Sequence, residues 1–187
     1  LIIICLFFSL PFFAQFQVYG DAIDEGDDTF LLTSDQNIEL GYVWNQTQIN
    51  FNEPFELEFE IFLGCKDGNG ADGMSLIFQP EIILSTGLGG SMGFSGLNPS
   101  LALEIDTYQN GNGDPEFDHL ALMKNGNADH DFHKNLFGPI QANSTNPNVE
   151  DCQWHILKVI WDPQLLNFEI FFDCELKGNY KGDIVNE

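Results

Sequence analysis

Hydrophobic and polar residues alternate strictly along Phe55-Glu56-Leu57-Glu58-Phe59-Glu60-Ile61, with acids on one side and apolar groups on the other. A period of two belongs to a strand with one face in a core and one in water; a helix would scatter the same acids over its whole circumference. Similar runs occur at residues 74–78, 101–108 and 119–123, each bounded by Gly, Asn, Asp or Pro. Residues 154–161 and 166–172, joined through Asp162-Pro163, read as a hairpin. No amphipathic helical period of useful length appears, nothing repeats at a fixed spacing, and no linker-like stretch divides the chain. Short strands separated by polar loops predict an all-β fold, two packed antiparallel sheets forming a β-sandwich or jelly roll.

The hairpin bears on the cysteines. If Trp161 faces Leu165, then Cys152 faces Cys174, and Trp154, Ile156 and Ile160 face Phe172, Ile170 and Leu166 on the same side; only Lys158 opposite Phe168 is out of character. That register predicts a cross-strand disulfide between Cys152 and Cys174. It leaves Cys65 free or bonded to something past residue 187.

The pairing presumes an oxidising compartment. Residues 1–14 form an apolar run of signal-peptide length ending in the small residue Ala14, and Gln15 and Gln17 stop it short of the roughly 20 apolar residues that a membrane span needs. Cleavage after Ala14 would remove Cys5 and leave residues 15–187 as one domain, secreted or at the cell surface. The chain opens at Leu1 without Met or a basic segment and ends without a terminal feature, so it reads as a fragment, truncated at its C-terminus.

Composition adds two constraints. Hydrophobic residues make up 43% of the 187, with 18 Phe and 3 Trp, enough for one continuous core. Against 29 Asp and Glu stand 6 Lys and Arg, a formal charge of -23. Such a surface repels phosphate backbones and anionic lipids, which argues against nucleic-acid binding and direct membrane insertion and suits a domain that collects hard cations.

The segment from Leu103 to His119 carries the candidate chemistry. Glu104 and Asp106 lie two apart on a strand and leave the same face; Asn110 and Asp114 follow in a Gly-rich loop able to fold back over that face. Glu104, Asp106, Asp114 and His119 would form a mixed oxygen and imidazole site suited to manganese or a similar transition ion. Asp106, Asn110, Asp114 and the Tyr108 carbonyl would form an oxygen-only site suited to calcium, with Asp106 and Asp114 bridging the two. An Asp, Asn and Gly-rich loop is also what a simple turn looks like. His130, His133, Asp129 and Asp131 form a second polar cluster, and with no element to fix their spacing they read as a solvated loop.

Taken in order, Glu104, Asp106, Thr107, Tyr108, Asn110, Asp114-Pro115 and His119 resemble the metal-binding segment of the L-type (legume-like) lectins, with a loop from Asn110 to Asp114 one residue shorter than in typical plant members. Ala71-Asp72-Gly73 resembles that family's Ala-Asp-Gly strand, whose Ala-Asp peptide is cis, and Gly87 to Phe94 resembles the next loop, with Gly90 as the glycine that approaches sugar. Trp154-His155 and Trp161-Asp162 look like the family's strand ends and read as core. The likeness runs from about Val18 to the end and looks nearest to bacterial secreted members.

The resemblance implies a concanavalin-like sandwich, shared by lectins and glucanases, and calcium-dependent binding of glycans or polysaccharides, with a second divalent ion. It further implies a sugar ring lying on Tyr108, with the Asp72 carboxylate, the Gly90 amide and the Asn110 side chain on its hydroxyls. Sheet-edge homodimers are usual among plant members, and no residue here marks such an interface. Two other functions share this sandwich. Laminarinase-like hydrolases carry Glu-x-Asp-x-x-Glu, but the third position here is Gln109, whose amide cannot act as the acid, so no catalytic residue is expected. A structural adhesion module would keep the metals without the sugar residues.

Overall fold

The computed structural model describes residues 16–111, 113–130 and 135–184. The signal segment expected at 1–14 lies outside them, as do Asp131 and His133. Among the described residues the chain forms twelve strands and one 3-10 turn, with no α-helix. It divides into two compact units at Ile49 and Asn50. The first holds two antiparallel pairs, β1 (Phe16–Gly20) with β4 (Gly41–Asn45) and β2 (Ile23–Gly26) with β3 (Thr29–Leu31).

The second unit is the expected antiparallel sandwich. One sheet runs in the order β12 (Glu175–Lys181), β11 (Asn167–Phe172), β10 (Trp154–Asp162), β5 (Phe55–Phe62), and the other in the order β6 (Gly73–Phe78), β7 (Leu101–Asp106), β8 (His119–Lys124), β9 (Phe137–Gln141). Their inner faces interdigitate in a single core. Leu157, Val159, Trp161, Phe168, Ile170 and Phe172 from the first sheet meet Leu101, Leu103, Ile105, Leu120 and Leu122 from the second. The alternation in β5 behaves as its sequence requires: Ile61 is buried and Phe55, Leu57 and Phe59 pack against the core, while Glu56, Glu58 and Glu60 face solvent. Lys158, the misfit of the expected register, lies opposite Glu58 and forms ion pairs with Glu56 and Glu58.

That expected register is corrected. Trp161 pairs with Phe168 rather than Leu165, and Leu157 rather than Trp154 pairs with Phe172. The cause is the turn. The Asp162 carboxylate accepts hydrogen bonds from the backbone N–H groups of Gln164 and Leu165, and Leu166 adopts a left-handed conformation, so four residues and not three separate the strands. An odd shift of register exchanges the faces of β10. His155, Leu157, Val159 and Trp161 therefore face inward, and Trp154, read as core, is 62% exposed.

The disulfide changes with it. Cys152 bonds to Cys65, not to Cys174. Because β5 and β10 are neighbours with Phe62 opposite Trp154, the two chains stay side by side one turn further, where Cys152 N–H donates to the Gly64 carbonyl. The bond staples that end of the pair. Cys174 sits with Asp173 at the tip of the β11–β12 turn, both left-handed, and its thiol is exposed and free.

The outer face of the β6–β9 sheet is also covered, by residues 88–97. Met92, Phe94 and Leu97 of this loop pack on Ala102, Ala121 and Met123 in a second apolar cluster, and the Ser75 hydroxyl donates to the Met92 carbonyl. β7 is thus buried on both faces, along all six residues.

Candidate functional site

Strand geometry delivers the first candidate ligands. Leu103 and Ile105 point into the sandwich, so Glu104 and Asp106 emerge together on the outer face, where Asp106 pairs with His119 and Glu104 lies between Ser75 and Ala121. Both flanking side chains are small, leaving room above the glutamate. The loop 107–118 then doubles back as its sequence requires. Asp106 Oδ1 accepts the Tyr108 N–H at 2.8 Å, Asp114 Oδ2 accepts the Asn110 N–H at 2.7 Å, and the Gln109 side chain donates to the Asp114 carbonyl at 3.2 Å.

Asp106, Asp114, His119 and His130 each present one ligand atom, all within 4.8 Å of one another. Glu104 adjoins them, its Oε1 3.3 Å from His130 Nε2. Glu104 and His119 are 1% exposed, Asp106 3% and His130 7%. Asp106, Asp114 and His119 thus converge as expected, whereas His130 was read as part of a solvated loop and is instead buried against them. Its Nε2 lies 2.9 Å from His119 Nε2 and 3.1 Å from Asp114 Oδ1. No periodicity surrounds it in the sequence; only its place in the fold reveals it.

Burial governs the electrostatics. It raises the Glu104 carboxyl well above its ordinary range, with the charges of Asp106 and Asp114 adding to the effect. Burial also pushes Asp106 up to about 7; the Tyr108 N–H opposes this, and the charges of Asp114, Asp72 and Asp118 reinforce it. His119 is pushed down to about 4 by burial and then by His130, against the Phe117 carbonyl, and burial lowers His130 despite Asp114 and Asp129. Burial thus favours the neutral form of both imidazoles beside these close carboxylates. Glu104 Oε1, fully enclosed, accepts no hydrogen bond. An orphaned buried oxygen in a mixed carboxylate and imidazole set fits a divalent transition ion, and the oxygen donors of Asp106, Asn110 and Asp114 fit calcium.

The candidate sugar residues lie beside this centre. The Ala71-Asp72 peptide is cis, as the resemblance implied. The strand that follows hugs β7, since a Cβ on Gly73 would stand 2.1 Å from the Ile105 carbonyl oxygen and its φ is +120°. Thr107 N–H donates to the Asp72 carbonyl, and the Asn110 side-chain amide donates to Asp72 Oδ1 at 3.0 Å. Gly90, in the 3-10 turn Gly89–Ser91, lies so close to Asn110 that a Cβ there would be 2.8 Å from its Oδ1. Asp72, Gly90 and Asn110 therefore meet at one point.

Gly90 and Asn110, with Leu88, Ser95, Asn127 and Asp129, line a cleft of about 450 Å³. Tyr108 is 42% exposed and lines a separate hollow, with Asp67, Thr107, Glu116 and Phe117, rather than the cleft of Gly90 and Asn110. The His155 imidazole is buried, held between Asp173 Oδ2 at 2.9 Å and the Val149 carbonyl at 3.1 Å and stacked on Phe172, a core role as expected.

Residues 10–185 match the sequence family described as the legume lectin beta-barrel domain. The chain belongs to the L-type lectin family.

Solved structures share the fold of this L-type lectin. The lectin from Bauhinia forficata in complex with GalNAc aligns over 91% of this chain and 79% of its own, with a TM-score of 0.64 and 18% identity. Peanut lectin with a 9mer peptide aligns over 91% and 77%, with a TM-score of 0.67 and 18% identity. The Ca2+-bound exoplasmic/lumenal domain of VIP36 aligns over 88% and 68%, with a TM-score of 0.60 and 18% identity. Among curated proteins, the serine-rich adhesin for platelets of Staphylococcus aureus strain MRSA252 is 33% identical over 91 residues, 46% of this chain and 7% of the adhesin. The chain thus spans less than a tenth of that relative's length.

Proposed function

We propose that this L-type lectin binds glycans in a calcium-dependent manner outside the cell, in adhesion or polysaccharide recognition, and that it is not an enzyme. The observation that carries this reading is the meeting of Asp72, Gly90 and Asn110, from three separate segments, directly beside a buried carboxylate and imidazole centre. The Asp72 carboxylate accepts hydroxyl protons, the Asn110 amide both donates and accepts, and Gly90 leaves its backbone bare to an approaching ring. Tyr108, exposed two residues before Asn110, would supply an aromatic ring suited to the apolar side of a pyranose. Calcium on Asp106, Asn110, Asp114 and the Tyr108 carbonyl would contribute positive charge that holds the loop closed. Asn110 stays aimed at Asp72 for as long as its own N–H remains bonded to Asp114.

Burial of Glu104 and Asp106 supports the non-enzymatic reading, since neither carboxyl is open to a glycosidic bond, and Gln109 supplies no acid. The Cys65–Cys152 disulfide and the adhesin likeness support an extracellular setting. A glycan array run with calcium and again with chelator tests the proposal. Signal on a defined set of glycans, abolished by chelator and by Asp72→Asn, is expected; no calcium-dependent signal on any glycan would leave a structural adhesion module instead. Sustained release of reducing sugar from β-glucans would refute the non-enzymatic part.

A further inference from the structure

We propose that His130 is a direct protein ligand of the mixed oxygen and imidazole site, giving it a second imidazole and tuning it to a late transition ion of the zinc class rather than to manganese. The inference deepens the reading above, in that it presumes that the centre holds an ion. His130 stands outside the six ligand positions of the lectin metal segment and comes from a different stretch of chain, the loop after β8.

Distance is the first argument. Bonds of about 2.1 Å from one ion to nitrogen or oxygen donors set neighbouring donors about 3.0 Å apart at right angles and about 3.4 Å apart at the tetrahedral angle. His130 Nε2 lies 2.9 Å from His119 Nε2, 3.1 Å from Asp114 Oδ1 and 3.3 Å from Glu104 Oε1. All three separations are edges of such a polyhedron. The three neighbouring atoms come from β7, β8 and the loop between them, so the spacing is not a local accident of one turn. Glu104 Oε1, enclosed and without a hydrogen bond, opens into the same space.

The outer partner of His119 is arranged for the role. His119 Nδ1 lies 3.3 Å from the Phe117 carbonyl, which fixes the proton on Nδ1 and leaves the Nε2 lone pair toward the cluster. His130 Nδ1 lies 3.3 Å from the Asn135 side-chain nitrogen, which also donates to the Gly138 carbonyl at 3.3 Å, so in the ion-free chain Nδ1 accepts and the proton sits on Nε2. Ion binding at His130 Nε2 calls for the other tautomer, with the proton on Nδ1.

Ligand type then decides selectivity. Carboxylate sites hold manganese as readily as other hard ions, whereas each imidazole favours ions later in the series from manganese through cobalt and nickel to copper and zinc. Two imidazoles beside the carboxylates move this centre toward the later ions.

The test uses the purified chain, with calcium restored after stripping and kept present from then on. It is stripped, offered equimolar Mn2+ and Zn2+, dialysed and analysed for metals, and the zinc-loaded protein is examined by X-ray absorption at the zinc edge. The expected result is retention of zinc over manganese, two imidazoles in the zinc shell, and at least about 100-fold weaker zinc binding in His130→Ser. A shell with one imidazole, or retention of manganese over zinc, overturns the proposal; the wild-type spectrum decides even if the variant misfolds. Failure to hold either ion overturns it too, together with its premise. Absence of glycan retention by protein loaded with both ions would sink the sugar reading alone and leave this one standing.

Discussion

Replacing Asp106 by Asn tests the centre through a reversal of sign. Without an ion, Asp106 is pushed up to about 7 from an ordinary 3.8, chiefly by burial. The folded chain then holds this proton more tightly than the unfolded chain, so the stabilising contribution is fully present below pH 3.8 and is lost as pH rises through 7. Between pH 5 and pH 8 this one carboxyl costs the ion-free fold about 2.5 kcal/mol. Asn has the same shape, still accepts the Tyr108 N–H and carries no charge. In chelator, Asp106→Asn should therefore gain about 2.5 kcal/mol on wild type between pH 5 and pH 8, which is roughly 5–10 °C in a domain of this size. With calcium and a transition ion present at pH 8 the order should invert, because wild type would gain the binding free energy and the variant would lack the ligand proposed to be shared by both ions. Urea unfolding of both proteins at the two pH values, with and without chelator, measures all of this. Wild type and variant responding identically to pH in chelator, or keeping the same order when ions are added, would refute the claim that buried uncompensated charge at Asp106 is what the ions neutralise.

Three further outcomes follow from the geometry. Gly90→Ala places a methyl group 2.8 Å from Asn110 Oδ1, so glycan retention on an affinity column should fall at least about tenfold while the thermal midpoint stays within a few degrees. Cys65→Ala should cost about 2–5 kcal/mol in urea, since it opens a closure spanning 87 residues, whereas Cys174→Ser should change stability by less than about 0.5 kcal/mol. Peptide mapping without reduction should recover a Cys65–Cys152 linked pair and an alkylated Cys174; a linked Cys152–Cys174 pair would reinstate the shorter hairpin turn.

Legibility in the sequence followed the physics of each element. β5 and β7 were readable because their patterns are those of a half-wet and a fully enclosed strand. β9 and β12 were not: Gly138-Pro139, joined by a cis bond, breaks the strand signal in one, and the Glu, Lys, Gly and Asn of an edge disguise the other. The candidate ligands on β7, β8 and the intervening loop were legible because strand parity and a Gly-rich turn force them together. His130 was not, because a loop has no parity and its burial depends on what surrounds it. The disulfide was misread for a similar reason. Its partner was set by the length of one turn, and that length is set by the Asp162 carboxylate rather than by hydrophobic pattern.

The stretch 88–97 serves two masters. Its oily side, Met92, Phe94 and Leu97, is rooted in the outer face of the sheet, and a few atoms away its bare side offers Gly90 to the cleft. On the proposed reading, recognition grows directly out of the interior. A conservative swap at Phe94, hidden from any ligand, would tilt the rim and retune affinity, so variants chosen for firmness of that root should drift in what they capture.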